Sequence, residues 1–85
     1  MAEYEIFFKV SVWKDLRKVP KGQLKKIMAR IEKLANDARP LGCEKLTSEE
    51  LYRIRQGDYR IVYSIQGNEL TIWVIKVGHR KDVYR

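Results

Sequence analysis

The amino-acid sequence predicts an α+β fold, in which a small antiparallel sheet packs against a helical hairpin. The sheet is expected to combine an N-terminal strand with a three-strand C-terminal meander. Two observations support this prediction: apolar residues recur at helical spacing up to residue 38, and three alternating runs separated by turn residues fill residues 51–77. Because the chain has only 85 residues, we expect a single domain over residues 1–85.

The first half of the chain is predicted to contain one strand and two helices. Apolar side chains alternate along residues 4–10, which is the pattern of a half-buried strand. Ser11 is the expected N-cap of a short helix, and Pro20 and Gly22 interrupt that helix. A longer helix then runs to about Ala38, with apolar residues at three- and four-residue spacing. Both helices are expected to pack on one face of the sheet.

The second half is predicted to contain three consecutive strands. A loop over residues 42–49 leads into them, and residues 66–68 are the expected hairpin turn between the last two strands. Trp13 and Trp73 are predicted to lie in the core with the apolar stripe of the longer helix. The predicted strands are residues 51–56, 59–65 and 70–77, and the stripe includes Ile27, Met28 and Ile31.

The charge of the chain points to an anionic partner. Eighteen lysines and arginines against eleven acids give a formal net charge of +7. Such a balance fits RNA, DNA, a membrane surface or an acidic protein, and it does not choose among them. Cys43 is the only cysteine, so neither an internal disulfide nor a cysteine cluster for zinc can form. Without an apolar run of membrane-spanning length, we expect a cytoplasmic protein that does not bind membranes.

Strand alternation gathers several of the cations. Arg53 and Arg55 share one face of their predicted strand, and Arg60 opposes the apolar face of the next. A polar C-terminal tail then supplies further candidates close to these strands. Because neighbouring cations repel one another, such a cluster favours a binding site over a stabilising role. The tail candidates are His79, Arg80, Lys81, Tyr84 and Arg85.

These residue types suit cleavage of RNA without a metal or a small-molecule cofactor. The acids are scattered, and the sequence contains no metal-binding motif and no glycine-rich phosphate loop. In RNA the 2′-hydroxyl can attack the adjacent phosphate if the protein supplies a proton acceptor, a proton donor and stabilising cations. His79 is a candidate for proton transfer because histidine titrates near neutral pH. Tyr84, surrounded by cations, is the other candidate.

Two segments of the sequence resemble a known family. Residues 52–63 read YRIRQGDYRIVY and residues 75–84 read IKVGHRKDVY, and together they are similar to the RelE branch of the RelE/ParE toxin superfamily. The resemblance extends over nearly the whole chain. It implies a toxin that enters the ribosomal A site and cleaves the mRNA there, and that is held in check by a cognate antitoxin.

The resemblance also implies a role for each basic position. Arg53 and Arg55 correspond to a basic pair that contacts the mRNA and stabilises charge. Arg60 corresponds to the arginine that grips the scissile phosphate. Arg80 corresponds to a general acid or phosphate stabiliser, and Tyr84 to the C-terminal tyrosine proposed as general base.

The sequence departs from the best-known RelE-type members at two places. Lysines stand there where this chain has Arg53 and Arg55, and an arginine is suited to positioning and stabilisation but not to acting as a base. The segment leading to Tyr84 is also short, so His79 remains a rival proton shuttle. Lys81 and Arg85 complete the candidate RNA-binding set.

Two other functions remain open at the level of sequence. One is inhibition of DNA gyrase by binding, as in the ParE branch, which generally lacks this set of arginines and tyrosine. The other is a catalytically inactive relative that only binds its antitoxin. In each case an antitoxin with an acidic segment suits the charge of +7, because electrostatic attraction speeds the capture of an oppositely charged partner. The leading hypothesis, cleavage of mRNA in the ribosomal A site, implies the ribosome and mRNA as further partners.

Overall fold

The fold is built from five strands and three helices within residues 3–46 and 50–83, the part of the chain that the computed structural model describes. None of the helices in these residues is long and apolar enough to cross a membrane. A short 3-10 turn at Gly67–Glu69 joins the last two strands. The elements are β1 (Glu5–Phe8), α1 (Val10–Arg17), α2 (Lys21–Lys33), β2 (Glu44–Lys45), β3 (Leu51–Gln56), β4 (Tyr59–Gln66), β5 (Thr71–His79) and α3 (Arg80–Val83).

The five strands form one sheet in the order β1-β5-β4-β3-β2. Strands β3, β4 and β5 pair as the antiparallel meander that the sequence predicts. The sheet as a whole is mixed rather than antiparallel, because β1 pairs in parallel with β5. The connection from β1 to β5 contains both helices and the strands β2 to β4, so it is long enough for parallel pairing. The predicted α+β class, with a helical hairpin packed on a small sheet, is confirmed.

The hydrophobic core lies between the helices and one face of the sheet. Tyr63, which is fully buried, joins the two layers by donating its hydroxyl hydrogen bond to the carbonyl of Ala38, at 2.8 Å. In the predicted helical stripe, Ile27 and Ile31 are buried while Met28 packs at the margin. The other buried core residues are Val12, Leu16, Val19, Leu34, Tyr52, Ile54, Ile61, Ile65, Ile72, Val74 and Val77.

Several element boundaries differ from the sequence prediction. The first strand ends at Phe8, and α1 already begins at Val10, so Ser11 is not its N-cap. The helix α2 ends at Lys33 and is followed by turns rather than continuing to Ala38. Strand β2 was not predicted, because two exposed residues carry no alternation of apolar side chains. At the other end, β5 continues through His79 and leads directly into α3.

The two tryptophans do not belong to the core, contrary to the prediction. Trp13 is 47% exposed and Trp73 is 41% exposed. Ile72 and Val74, on either side of Trp73, are fully buried beneath the helices, so strand alternation turns Trp73 to the opposite face of the sheet. Trp73 is therefore a large apolar side chain on the face that the helices leave open, whereas Trp13 is an exposed residue of α1.

Candidate basic site on the open face of the sheet

Arg53, Arg55 and Arg60 lie on the open face of the sheet, the face opposite the helices. Arg55 is directly across from Arg60 in the β3–β4 pairing, and Arg53 is across from Val62. The turn between these strands contains Gly57 at φ 61°, a left-handed conformation that glycine adopts without strain and that tight hairpins require. The predicted grouping of the three arginines on one face is thus what the strand register produces.

Arg60 is the most enclosed of these cations. It is only 5% exposed, although it faces the side of the sheet without helices, and Arg55 is more exposed. Like charges directly opposite each other in a sheet are destabilising, and withdrawing a guanidinium from water adds to the cost. A desolvated cation held beside another cation is well suited to an anion, since the interaction strengthens as water is excluded.

Glu44 of β2 is a member of this site that the sequence analysis did not single out. Both Nε and Nη2 of Arg53 donate to Oε1 of Glu44, at 3.1 and 2.6 Å. The β2–β3 pairing places Glu44 directly across from Arg53. The only signal in the sequence is an acid shortly before the basic strand, and that signal does not reveal the pairing.

All three arginines act electrostatically on the carboxylate of Glu44. The hydrogen bond from Arg53 lowers the pKa of Glu44 below its usual value, and the charges of Arg53, Arg55 and Arg60 lower it further. Glu44 therefore stays ionised at neutral pH and holds the guanidinium of Arg53, for which an incoming anion must compete. A carboxylate held by two N–H donors of one arginine resembles a phosphate held in the same way.

The start of α3 is fixed at the same end of the sheet. The backbone N–H of Arg80 donates to the carbonyl of Asp58, in the turn between β3 and β4, at 2.8 Å. Arg80 therefore begins its helix beside the hairpin that carries Arg55 and Arg60, and the side chains of Arg80 and Lys81 are exposed. The predicted Tyr84 and Arg85 lie outside the described residues.

His79 lies apart from the arginines. It pairs with Tyr59, whose side chain faces the helix side of the sheet, and the two rings meet edge to face at 5.6 Å. The Nδ1 atom of His79 accepts a hydrogen bond from the backbone N–H of Lys81, at 3.3 Å. With Nδ1 as the acceptor of this hydrogen bond, the lone pair of Nδ1 is engaged by the backbone and only Nε2 points away from it.

Asp15 of α1 supports the strand that leads into this site. Strand β1 covers the edge of β5 only up to Val74, and beyond that point α1 takes its place. Oδ2 of Asp15 accepts from the backbone N–H of Val77 at 3.2 Å, and Oδ1 lies 3.4 Å from the ammonium of Lys76. The end of β5 is thereby held against α1, and the position of α3 follows from it.

Taken together, the described residues form a cationic surface whose chemistry suits a phosphate. Two arginines face each other across β3 and β4, a third is held by a carboxylate, and a fourth begins a helix next to their hairpin. Guanidinium groups bind phosphate oxygens with two parallel hydrogen bonds, and several of them stabilise charge that accumulates on a phosphate.

Comparison with known proteins places this arrangement in a family. The family described as "ParE toxin of type II toxin-antitoxin system, parDE" matches residues 6–84. The toxin RelG of Mycobacterium tuberculosis is 31% identical over 96% of this chain and 97% of its own length. RelE in the RelE–RelB complex of Pyrococcus horikoshii is 28% identical, with a TM-score of 0.84 over 98% of this chain and 100% of that chain.

A third relative agrees with these two. The crystal structure of the RelB–RelE antitoxin–toxin complex of Methanococcus jannaschii matches with 34% identity and a TM-score of 0.74, over 92% of this chain and 94% of that one. The matches span the sheet, the helical hairpin and the basic hairpin alike. The chain is a toxin of a type II toxin–antitoxin system and belongs to the RelE/ParE superfamily.

Proposed function

We propose that this toxin is an endoribonuclease that cleaves mRNA in the ribosomal A site without a metal ion. The observation that carries the proposal is the grouping of Arg53, Arg55 and Arg60 on one open face, with Arg80 anchored beside their hairpin. RNA provides its own nucleophile, so a site made of cations and one or two proton-transfer groups is sufficient for the reaction.

The reaction follows from the chemistry of the RNA backbone. The 2′-oxygen attacks the adjacent phosphorus, its proton passes to a base, and the bond from phosphorus to the 5′-oxygen breaks. A proton is delivered to that leaving oxygen. The products are a 2′,3′-cyclic phosphate and a 5′-hydroxyl. Negative charge accumulates on the non-bridging oxygens during this exchange, and Arg60 and Arg80 are the groups that we assign to stabilise it.

The proton acceptor is assigned to Tyr84 and not to His79. A tyrosine near several cations loses its proton more readily than in water. His79 is turned to the other face of the sheet, and its Nδ1 is engaged with the backbone of Lys81. Arg53, Arg55, Lys81 and Arg85 are assigned to hold the RNA backbone, since arginine and lysine bind phosphates as fixed cations.

The test is cleavage of a defined mRNA held on purified ribosomes with one codon in the A site. We expect cuts in that codon with 5′-hydroxyl ends, no cuts in the same mRNA free in solution, and no cuts when the attacking ribose lacks its 2′-hydroxyl. Equal cleavage of the free mRNA would refute the requirement for the ribosome. Cleavage of the 2′-deoxy substrate would refute the mechanism.

Four substitutions distinguish the assigned roles in this assay. Arg60→Lys and Arg80→Ala are each expected to lower kcat by about 100- to 1,000-fold, as loss of a preorganised oxyanion donor does. Tyr84→Phe is expected to abolish most activity, while His79→Ala retains it. The reverse pattern for Tyr84 and His79 would overturn the assignment of the base. Lys26→Ala, on the exposed side of α2, serves as the control that leaves kcat unchanged.

Inhibition of DNA gyrase is the second candidate, because the matching family is described by its ParE toxin. The four arginines, Arg53, Arg55, Arg60 and Arg80, favour RNA cleavage over this alternative. A gyrase supercoiling assay with the purified toxin separates the two functions. Inhibited supercoiling together with intact ribosome-bound mRNA would establish the gyrase function instead. Inactivity in both assays, with binding to the antitoxin, would indicate an inactive relative.

An antitoxin is the proposed physiological partner. The relatives from Pyrococcus horikoshii and Methanococcus jannaschii were both solved in complexes of RelE with RelB. By analogy we propose that an antitoxin with an acidic segment binds this chain in the cytoplasm. The formal charge of +7 favours its rapid capture.

A further inference from the structure

Phe7 and Trp73 form an exposed aromatic pair on the open face of the sheet. They are directly paired between β1 and β5, and their rings stack with centroids 5.1 Å apart and planes inclined by 28°. Each residue is 41% exposed, and neither belongs to the core between the sheet and the helices. The pair therefore presents an aromatic surface of two side chains to solvent.

The aromatic pair and the arginines share one continuous face. Trp73 is across from Ser64, which is across from Leu51 at the start of β3. Four residues before Ser64 in β4, Arg60 is across from Gly78 on one side and from Arg55 on the other. At the usual rise of a strand, the levels of Ser64 and Arg60 are about 13 Å apart along the strand direction.

The cations between the two ends make the face suitable for a polyanion. Lys76 and Arg53 lie on either side of Val62 in the middle of the face, where the ammonium of Lys76 is paired with Asp15 and the guanidinium of Arg53 with Glu44. Glu5 lies beyond the aromatic pair, across from Thr71, on the side away from the arginines. A phosphate backbone is therefore attracted toward the end of the face where Arg53, Arg55 and Arg60 outnumber the acid Glu44, and it is repelled by Glu5 at the other end.

An aromatic platform beside a row of cations is the combination by which proteins bind single-stranded nucleic acid. The cations hold the phosphates, and the exposed ring stacks on a base whatever its identity. A hydrophobic protein segment is a poorer match, because the residues beside Trp73 on this face include Ser64, directly across in β4, and the buried Thr71, two residues earlier in β5. Two rings bordered by small polar side chains fit a planar base better than an apolar helix or strand.

We infer that Phe7 and Trp73 form a stacking subsite for one base of a single-stranded RNA whose phosphates are bound by the arginines of the same face. The inference rests on RNA being the ligand in the proposed function, but not on cleavage or on the ribosome. It assigns to the open face a second role, which is to hold a nucleotide of the same strand at a distance from the one that Arg60 grips. The preference for a particular base at that nucleotide is expected to be weak.

Tryptophan fluorescence provides a direct test, because the chain has two tryptophans on different faces. Trp13 lies on α1, where its ring packs against Phe8 at 4.8 Å. In the Trp13→Phe variant, we expect a short RNA with 2′-O-methyl riboses to quench Trp73. In the Trp73→Phe variant, we expect the same RNA to leave the fluorescence of Trp13 unchanged. Absence of quenching in the first variant at any RNA concentration overturns the inference.

Affinity measurements distinguish stacking from contacts to phosphate. Trp73→Val keeps a residue suited to a strand and is expected to weaken binding of the RNA by about 5- to 150-fold, the range found for loss of one stacked base. Removing one base from the RNA while keeping its backbone should weaken binding to the unmodified toxin similarly, and should add nothing in Trp73→Val. Equal affinities for the two proteins, or additive losses, contradict a stacking subsite. If Trp73→Val fails to fold, the quenching experiment and the abasic RNA still decide.

The test of the stacking subsite and the test of the proposed RNA cleavage can fail independently of each other. Quenching of Trp73 without cleavage of ribosome-bound mRNA would leave the subsite standing and refute the nuclease. Cleavage that is unaffected by Trp73→Val, with unchanged RNA affinity, would refute the subsite alone. If Trp73→Val weakens binding of the antitoxin and not of RNA, the aromatic pair binds protein and the inference is wrong.

Discussion

Among single residues, Glu44 has the most direct influence on the open face. Its carboxylate holds the guanidinium of Arg53 and lies within the field of Arg55 and Arg60. An incoming phosphate therefore competes with Glu44 for Arg53 and is repelled by its charge. Glu44→Gln keeps the shape of the side chain and removes the charge, so we expect RNA to bind about 2- to 5-fold more tightly, the scale of one exposed ion pair.

Glu50 offers a matched control for this substitution. It is also an exposed acid with a lowered pKa, but the cause is its contact with Lys45 and Arg39, which lie away from the open-face arginines. Glu50→Gln makes the same change of charge and is expected to leave RNA affinity nearly unchanged. Equal effects of the two substitutions, measured by fluorescence anisotropy, would show that only the net charge matters.

The pH dependence of RNA binding follows from the same carboxylate. Because the pKa of Glu44 is lowered in the folded protein, its ion pair with Arg53 is present at neutral pH and is lost only as the pH falls through that lowered value. Acidification should therefore tighten RNA binding by the unmodified toxin and should have less effect on Glu44→Gln.

At the level of secondary-structure elements, the contact between α1 and the end of β5 determines where the site begins. Replacing Asp15 by Ala leaves the N–H of Val77 without its acceptor, which costs about 1–3 kcal/mol when such a group is withdrawn from water. Asp15→Asn retains an oxygen acceptor and loses only the partly exposed ion pair with Lys76, so its cost is below about 1 kcal/mol. Urea denaturation of both variants measures the difference.

Asp37→Ala is the control for this pair of substitutions, because Asp37 is an exposed acid in the turn after α2. It removes the same charge and should leave the free energy of unfolding within about 0.5 kcal/mol of the original. Hydrogen exchange at the amide of Val77 provides a local readout and should accelerate only in Asp15→Ala. If Asp15→Asn and Asp15→Ala are equally destabilised, the ion pair and not the hydrogen bond holds the strand.

The elements that could be predicted from sequence are those whose pattern is local. Alternation along β3 and β4 is enough to place Arg53, Arg55 and Arg60 on one face, and the Gly57 turn fixes their register. The parallel pairing of β1 with β5 depends on contacts between residues far apart in the chain, so local pattern did not reveal it. The two-residue β2, and with it the pairing of Glu44 with Arg53, was missed for the same reason.

Hydrophobicity alone misplaced the aromatic residues. The apolar character of tryptophan predicts a core position for Trp73, but its neighbours Ile72 and Val74 occupy the buried face of the strand. Alternation within a strand is a stronger constraint than the hydrophobicity of one side chain, since consecutive residues cannot face the same side. The position of the proton-transfer candidate His79 also cannot be predicted from the sequence alone, because the face on which it lies depends on its pairing with Tyr59.

For the whole molecule, the relevant property is how the charge of +7 is divided between two surfaces. The open face of the sheet carries arginines, and the exposed side of α2 carries Lys25, Lys26 and Lys33. If RNA lies on the open face, the cations of that face displace counterions from its phosphates and the lysines of α2 do not. The lysines of α2 then contribute a long-range attraction that salt screens, without a fixed phosphate contact.

This division predicts how RNA affinity depends on salt. For single strands, the slope of log K against log salt concentration is about −0.7 for each phosphate neutralised. Arg53→Gln combined with Arg55→Gln should therefore make the slope shallower by about 1.4. Replacing Lys25, Lys26 and Lys33 together by Gln removes one more charge and should leave the slope nearly unchanged. A larger change for the lysine variant than for the arginine variant would place the RNA on the helices, and would contradict both the proposed site and the stacking subsite beside it.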